Sequence, residues 1–291
     1  MIRGHSVMHE SCDHPFASSG YDDLTILLPV SSTGERSYRS CFVHFESRPM
    51  FGAGLMAGQG VWAAAQSIGR RCVRALELSI SGEPRSGEGL EYAVESAGAK
   101  AGNVCRDVYA VQGLDMLGRM QVIFAETEAC AAACGTAHAE DASSDAAVAG
   151  PAPMDATRRG ERRMPFAEIR EWIATLPEPG EAGNVRLRVW CRLRHPLPAG
   201  GAWCAAALTY IAVSHTPVAV EAGRTSAEAA SFEPGSGEFS MRFHRGSFDV
   251  NDWMLLDSAI TRSMTRRYSV ETNIFSRSGV LVATSLGKNS R

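Results

Sequence analysis

Phe51-Gly-Ala-Gly-Leu-Met-Ala-Gly-Gln-Gly-Val-Trp-Ala-Ala-Ala-Gln-Ser-Ile68 decides the architecture of this chain. The run is apolar on nearly every side, and a helix that is apolar all round must be buried on all sides. Its many Gly and Ala residues let a neighbouring helix or sheet approach closely. Each interior Gly costs about 1 kcal/mol of helix propensity relative to Ala, so the helix depends on its surroundings. A wrapped, central helix is therefore expected.

Working outward, Cys41–Phe45 carries β-forming residues and is expected to be a strand, while Leu24–Val30 reads as a short helix or strand in an otherwise irregular segment spanning residues 1–37. After the helix, strands are expected at Val73–Ile80, Leu90–Glu95, Asn103–Gln112 and Arg119–Thr127, with Gly82-Glu-Pro84 and Gly113-Leu-Asp115 as turns. Residues 129–163 are rich in Ala, Ser, Asp, Gly and Pro and read as a flexible linker. The order then recurs. Val185–Arg194 alternates apolar and polar residues, Trp203–Val220 is a second apolar, Ala-rich segment, and strands are expected at Glu238–His244, Trp253–Thr261, Arg267–Phe275 and Val280–Ser285. Strand, buried helix and antiparallel strands, written twice, suggest an α+β fold made by internal duplication.

Bulk properties remove some functions. The net charge of −3 gives no electrostatic case for nucleic acid or an anionic membrane as partner. No apolar run is expected to reach the ~18 residues of a spanning helix. The polar N-terminus has no h-region, which makes a cytoplasmic location the default. The eight cysteines are scattered, several in strand-like text, as reduced core cysteines are. Cys130 and Cys134, with His138 nearby, lack the remaining half of a zinc site. Neither a metal nor an organic cofactor is expected.

The C-terminal third carries a resemblance. Phe239-Ser-Met-Arg-Phe-His-Arg245, Asp252-Trp-Met-Leu-Leu-Asp257 and Ser276-Arg-Ser-Gly-Val-Leu-Val-Ala-Thr-Ser285 resemble the end of the acyl-CoA thioesterase II (TesB-like) family. Arg48-Pro-Met-Phe-Gly-Ala-Gly and Gln59-Gly-Val-Trp-Ala-Ala are similar to that family's first helix, with one residue inserted. The resemblance covers residues 38–127 and 164–291. It implies a double hotdog: an N-terminal hotdog over 38–128 and a C-terminal one over 164–291, each an antiparallel sheet wrapped around a central helix. An acyl thioester of CoA or of a carrier protein is the implied ligand, and a homo-oligomer is compatible with it.

The family's water-activating set is an Asp on the second central helix, a Thr or Ser at the next strand and a Gln near the C-terminus. Such groups polarise a water and stabilise the developing oxyanion. Here the Asp position falls on Ala212 or Val213, the Thr position on Ser236 and the Gln position on Gly287. Two of three are lost, and each decade of rate is worth about 1.4 kcal/mol of barrier. His215 stands close to the missing Asp and is the candidate replacement base; otherwise it is a polar residue at a helix end before Pro217. Ser214 and Thr216 either hold a substrate carbonyl or cap that helix. Glu238 either supplies a carboxylate from the adjacent strand or faces solvent. His244, with Arg245, either contacts substrate or packs the seam between halves. Gln59 lies where the family uses Gln towards its ligand, and Arg158, Arg159, Arg162 and Arg163 either meet phosphate or belong to a solvated linker.

Two functions follow as expectations. One is a diverged thioesterase-like enzyme acting on an acyl-CoA, acyl-carrier or polyketide-like substrate, through hydrolysis with a replaced base or through dehydration, isomerisation or cyclisation in specialised metabolism. The other is a catalytically silent acyl-binding or structural protein.

Overall fold

A computed structural model describes residues 23–40, 50–69, 71–85, 87–100, 102–126, 167–175, 185–222, 236–262 and 268–289. The elements run α1 (Leu24–Leu27), β1 (Val30–Gly34), β2 (Ser37–Ser40), α2 (Met50–Gln66), β3 (Arg71–Ile80), β4 (Glu91–Lys100), β5 (Asn103–Gln112) and β6 (Asp115–Glu126). They continue with β7 (Ala167–Thr175), β8 (Val185–Leu193), α3 (Gly201–Ala222), β9 (Gly237–Phe243), β10 (Met254–Arg262), β11 (Tyr268–Ser276) and β12 (Leu281–Asn289).

The strands lie in the order β1-β2-β4-β5-β6-β3-β9-β12-β11-β10-β8-β7. Read from either edge inward, the two halves repeat the same order, with β7 to β12 in the places of β1 to β6. The last hairpin of each half even carries the same irregularity: the register shifts between Ala110 and Val111 in β5 and between Ile274 and Phe275 in β11. This is the duplication that the sequence pattern anticipated. The two sheets are not separate, however. β3 and β9 pair antiparallel, Leu76 opposite Met241 and Leu78 opposite Phe239, so one continuous ladder of twelve strands crosses the seam.

Alternation along the seam strands sorts the side chains. Leu76, Leu78, Phe239, Met241 and Phe243 are buried in the main core, while Glu77, Ser79, Glu238 and Arg242 are exposed on the outer face. The two central helices pack on one another inside. A Cβ on Gly54 would meet Ser214 and Tyr210, one on Gly58 would meet Ala206 and Tyr210, and Trp62 contacts Trp203 with ring centroids 4.2 Å apart. Rising numbers on α2 meet falling numbers on α3, so the helices are antiparallel. Their small residues allow the close approach.

Several expectations change. Residues 30–40 form an edge hairpin rather than irregular chain, with Arg36 in the left-handed region at the turn (φ 63). β7, opposite β8, had no clear signal in the sequence. The expected strand at 41–45 and the linker at 129–163 lie outside the described residues. α3 continues through Pro217, so His215 is inside the helix and not at its end. Gly201–Val220 is also long and apolar enough to cross a membrane by composition, contrary to expectation, although most of it is buried in this fold. Cys72 is disulfide-bonded, against the expectation of reduced thiols, whereas Cys105, Cys191 and Cys204 are free.

Candidate functional site

α3 distributes its polar residues over different faces because successive helical positions are about 100° apart. Tyr210 and Ser214, four residues apart, face α2. His215 turns the other way, onto the inner face of its own half-sheet. Its Nε2 lies 2.9 Å from Ser258 Oγ on β10, and Ser258 Oγ lies 2.8 Å from Thr272 Oγ1 on β11. All three are sealed, His215 with no exposed surface. Burial without a counter-charge disfavours the imidazolium and pushes the His215 pKa down to about 4. A neutral ring of such low basicity, with Nε2 engaged, is a poor general base at neutral pH.

Thr216 faces β12. Its hydroxyl donates to Ala212 O at 3.1 Å, the helix's own preceding turn. Its methyl carbon stands 2.5 Å from where a Cβ on Gly287 would be. The space beside Gly287 is thus filled from the helix side by Thr216. Any side chain at position 287 would have to displace that methyl group.

The remaining candidates are dispersed. Ser236 is exposed just ahead of β9. Glu238 lies on the outer face opposite Lys288, the sheet separating it from His215. Strand alternation therefore turns its carboxylate away from the interior that holds α3. It borders an open groove of about 530 Å³ with Glu77, Ser79, Arg119, Gln121 and Ser240. Gln59 is buried and engaged at both ends of its amide, donating to Leu27 O at 2.6 Å and accepting from Tyr92 Oη at 2.6 Å. That ties α1, α2 and β4 together. His244 is half-buried at the end of β9, its Nε2 3.1 Å from Thr284 Oγ1. Arg158, Arg159, Arg162 and Arg163 lie outside the described residues, as do Cys130, Cys134 and His138. No group of three or more metal-ligating side chains occurs among the described residues.

Two features escaped the sequence reading. Ser258 and Thr272 are ordinary strand residues in sequence, and only the fold reveals that they receive His215. The Gln59–Tyr92 link from α2 to β4 has its counterpart in the His215–Ser258 link from α3 to β10, since β4 and β10 hold the same place in each half. Each central helix is pinned to its own sheet by one buried polar contact. Three buried polar atoms on α3, Thr209 Oγ1, Ser214 Oγ and His215 Nδ1, have no hydrogen-bond partner.

A duplicated antiparallel sheet wrapped around paired central helices defines a double-hotdog protein. A family profile described as acyl-CoA thioesterase C-terminal domain matches residues 139–286. The chain belongs to the acyl-CoA thioesterase family, with TesB-like double-hotdog architecture. The acyl-CoA thioesterase II TesB2 of Mycobacterium marinum is similar, with 23% identity, 90% of this chain and 95% of that one covered, and a TM-score of 0.70. The tesB protein of Mycobacterium avium subsp. paratuberculosis gives 16% identity, 93% and 98% coverage and a TM-score of 0.67. A hot dog fold protein of Alicyclobacillus acidocaldarius gives 16% identity, 94% and 97% coverage and a TM-score of 0.61. At these identities the structures establish the fold. No curated protein sequence matches the chain significantly.

Proposed function

We propose that this chain binds an acyl thioester of CoA or a carrier protein without hydrolysing it by water activation. The contact between Thr216 and Gly287 carries the reading: the side chain that would hold the attacking water is missing, and a methyl group occupies the space where it would begin. The sealed His215 and outward-facing Glu238 support it, because neither presents a base to the interior beside Gly287. Location in the cytoplasm accords with this ligand class.

The test is a thiol-release assay with acyl-CoAs of graded chain length. Wild-type protein is expected to release CoA at the uncatalysed rate. Gly287→Gln is expected to restore no turnover and to lower stability by about 1–3 kcal/mol, the usual cost of overpacking. Saturable hydrolysis by the wild type would overturn the reading.

One observation favours the second reading, a diverged enzyme of dehydratase, isomerase or cyclase type. Ser214 Oγ, facing α2, and His215 Nδ1, facing the sheet, are both buried without partners, and such atoms cost about 1–3 kcal/mol each unless something satisfies them. A bound substrate could do so after a small helix movement. Product analysis with hydroxyacyl and polyketide-like thioesters separates this reading from the first: an altered acyl chain with the thioester intact supports it.

A further inference from the structure

The outer face of the seam carries a second polar site, unrelated to the buried residues of α3. It begins with an irregularity in β3. The register with β6 shifts between Val73 and Ala75, leaving Arg74 as the extra, bulged residue. Bulges re-aim side chains. Arg74 is half-buried and sends Nη1 across the seam to Phe243 O at 3.3 Å, the last residue of β9. Arg242 stands opposite Ala75 and projects outward, exposed. His244 follows at once, anchored to the sheet by its backbone N–H to Val282 O at 2.8 Å and by its ring to Thr284. Arg245 comes next. Thr284, opposite Arg242, adds a hydroxyl on the same face.

Four residues from two distant segments thus bring three guanidinium groups around one imidazole. Desolvation lowers the pKa of His244, and the positive charges of Arg74, Arg242 and Arg245 lower it further. That field is what an anion entering the cluster would feel. Asp257, on the same outer face towards the C-terminal edge, is already held by Arg186 at 2.7 and 2.9 Å and by Arg188 at 3.2 Å. Glu77 and Glu271 sit one rung away along the strands, opposite Ser240 and Leu286.

We infer that Arg74 and Arg242, with His244 and Thr284 beside them, form a binding site for the phosphate group of a phosphorylated ligand. Guanidinium groups present paired donors matched to phosphate oxygens, and Thr284 places a neutral hydroxyl next to them. The inference deepens the acyl-thioester reading, because a phosphopantetheine arm carries a phosphate whether it belongs to free CoA or to a carrier protein.

Calorimetric titration of the full chain tests it with three probes: 3′,5′-ADP, 4′-phosphopantetheine and unphosphorylated pantetheine. Both phosphorylated probes are expected to bind, and pantetheine is not. Tighter binding of 3′,5′-ADP points to free CoA, and tighter binding of 4′-phosphopantetheine points to a carrier arm. Arg242→Ala is exposed and should fold normally; it is expected to weaken the preferred probe about tenfold, and Arg74→Ala/Arg242→Ala further. Arg119→Ala, on the same face towards the opposite end of the seam, is expected to leave binding unchanged. Equal affinity in wild type and the double variant, or no binding of either phosphorylated probe, overturns the site. CoA binding that ignores both arginines would remove this site while leaving the acyl-thioester reading intact.

Discussion

Gly58→Ala is expected to lower the melting temperature by several degrees, although helix propensity alone predicts a gain. Exchanging an interior helical Gly for Ala is worth about 1 kcal/mol in an exposed helix. Here the new methyl would stand 2.9 Å from Ala206 O, 2.7 Å from Leu28 Cδ2 and 3.2 Å from Tyr210 Cβ. The carbonyl belongs to the backbone of α3 and cannot swing aside, so the helices must separate along their contact. Overpacking of this kind costs about 1–3 kcal/mol for one group and more for a larger one. Gly58→Leu is therefore expected to yield no folded protein. Gly60→Ala is the informative control. Its methyl meets Met120 Cε at 2.7 Å, the end of a flexible side chain, so that variant should keep or raise the melting temperature. Thermal melts of the three variants measure the effect; a Gly58→Ala protein as stable as wild type would show that α2 and α3 are not held at the spacing described.

Acidification should destabilise the chain through His215. The folded pKa is about 4 against an ordinary value of 6.5. Below 6.5 the unfolded chain takes up a proton that the folded chain refuses, so stability is fully present above pH 6.5 and falls as the pH drops towards 4. The difference is about 3 kcal/mol at about 1.4 kcal/mol per unit. Denaturant titrations at pH 7.5, 6 and 5 measure it. His215→Gln is expected to be less stable at pH 7.5, where the Ser258 contact is weakened, yet to lose less on acidification. Parallel pH profiles for the two proteins would mean that His215 is not sealed as described.

The fold was largely legible because its signals are local and repeated. An all-round apolar helix has to be buried on every side, and the alternation in Val185–Arg194 announces a strand with one wet face. The edges were less legible: residues 30–40 are short and polar, as edge strands often are, and their pairing is visible only in three dimensions. The candidate site was legible only as a set of residue types. His215, Thr216 and Gly287 could be named from the sequence. That Thr216 packs against Gly287, or that His215 turns towards Ser258, depends on which helical face meets which strand. Glu238 shows the same limit from another side, since strand parity, not distance along the chain, puts it across the sheet from α3.

The pairing of β3 with β9 also has a cost during synthesis. Leu78 finds Phe239, its partner across the seam, only after 239 − 78 = 161 further residues have been made. Until then β3, paired with β6 on one side only, is the open edge of a half-finished sheet, the backbone donors and acceptors on its seam side unpaired and available to any other strand. The α2 face that should meet α3 is bare for most of the same interval. A nascent first half is thus a sticky object whose correct partner arrives last, on its own chain. Early pairing between first halves of neighbouring chains would copy the intended geometry with the wrong molecule.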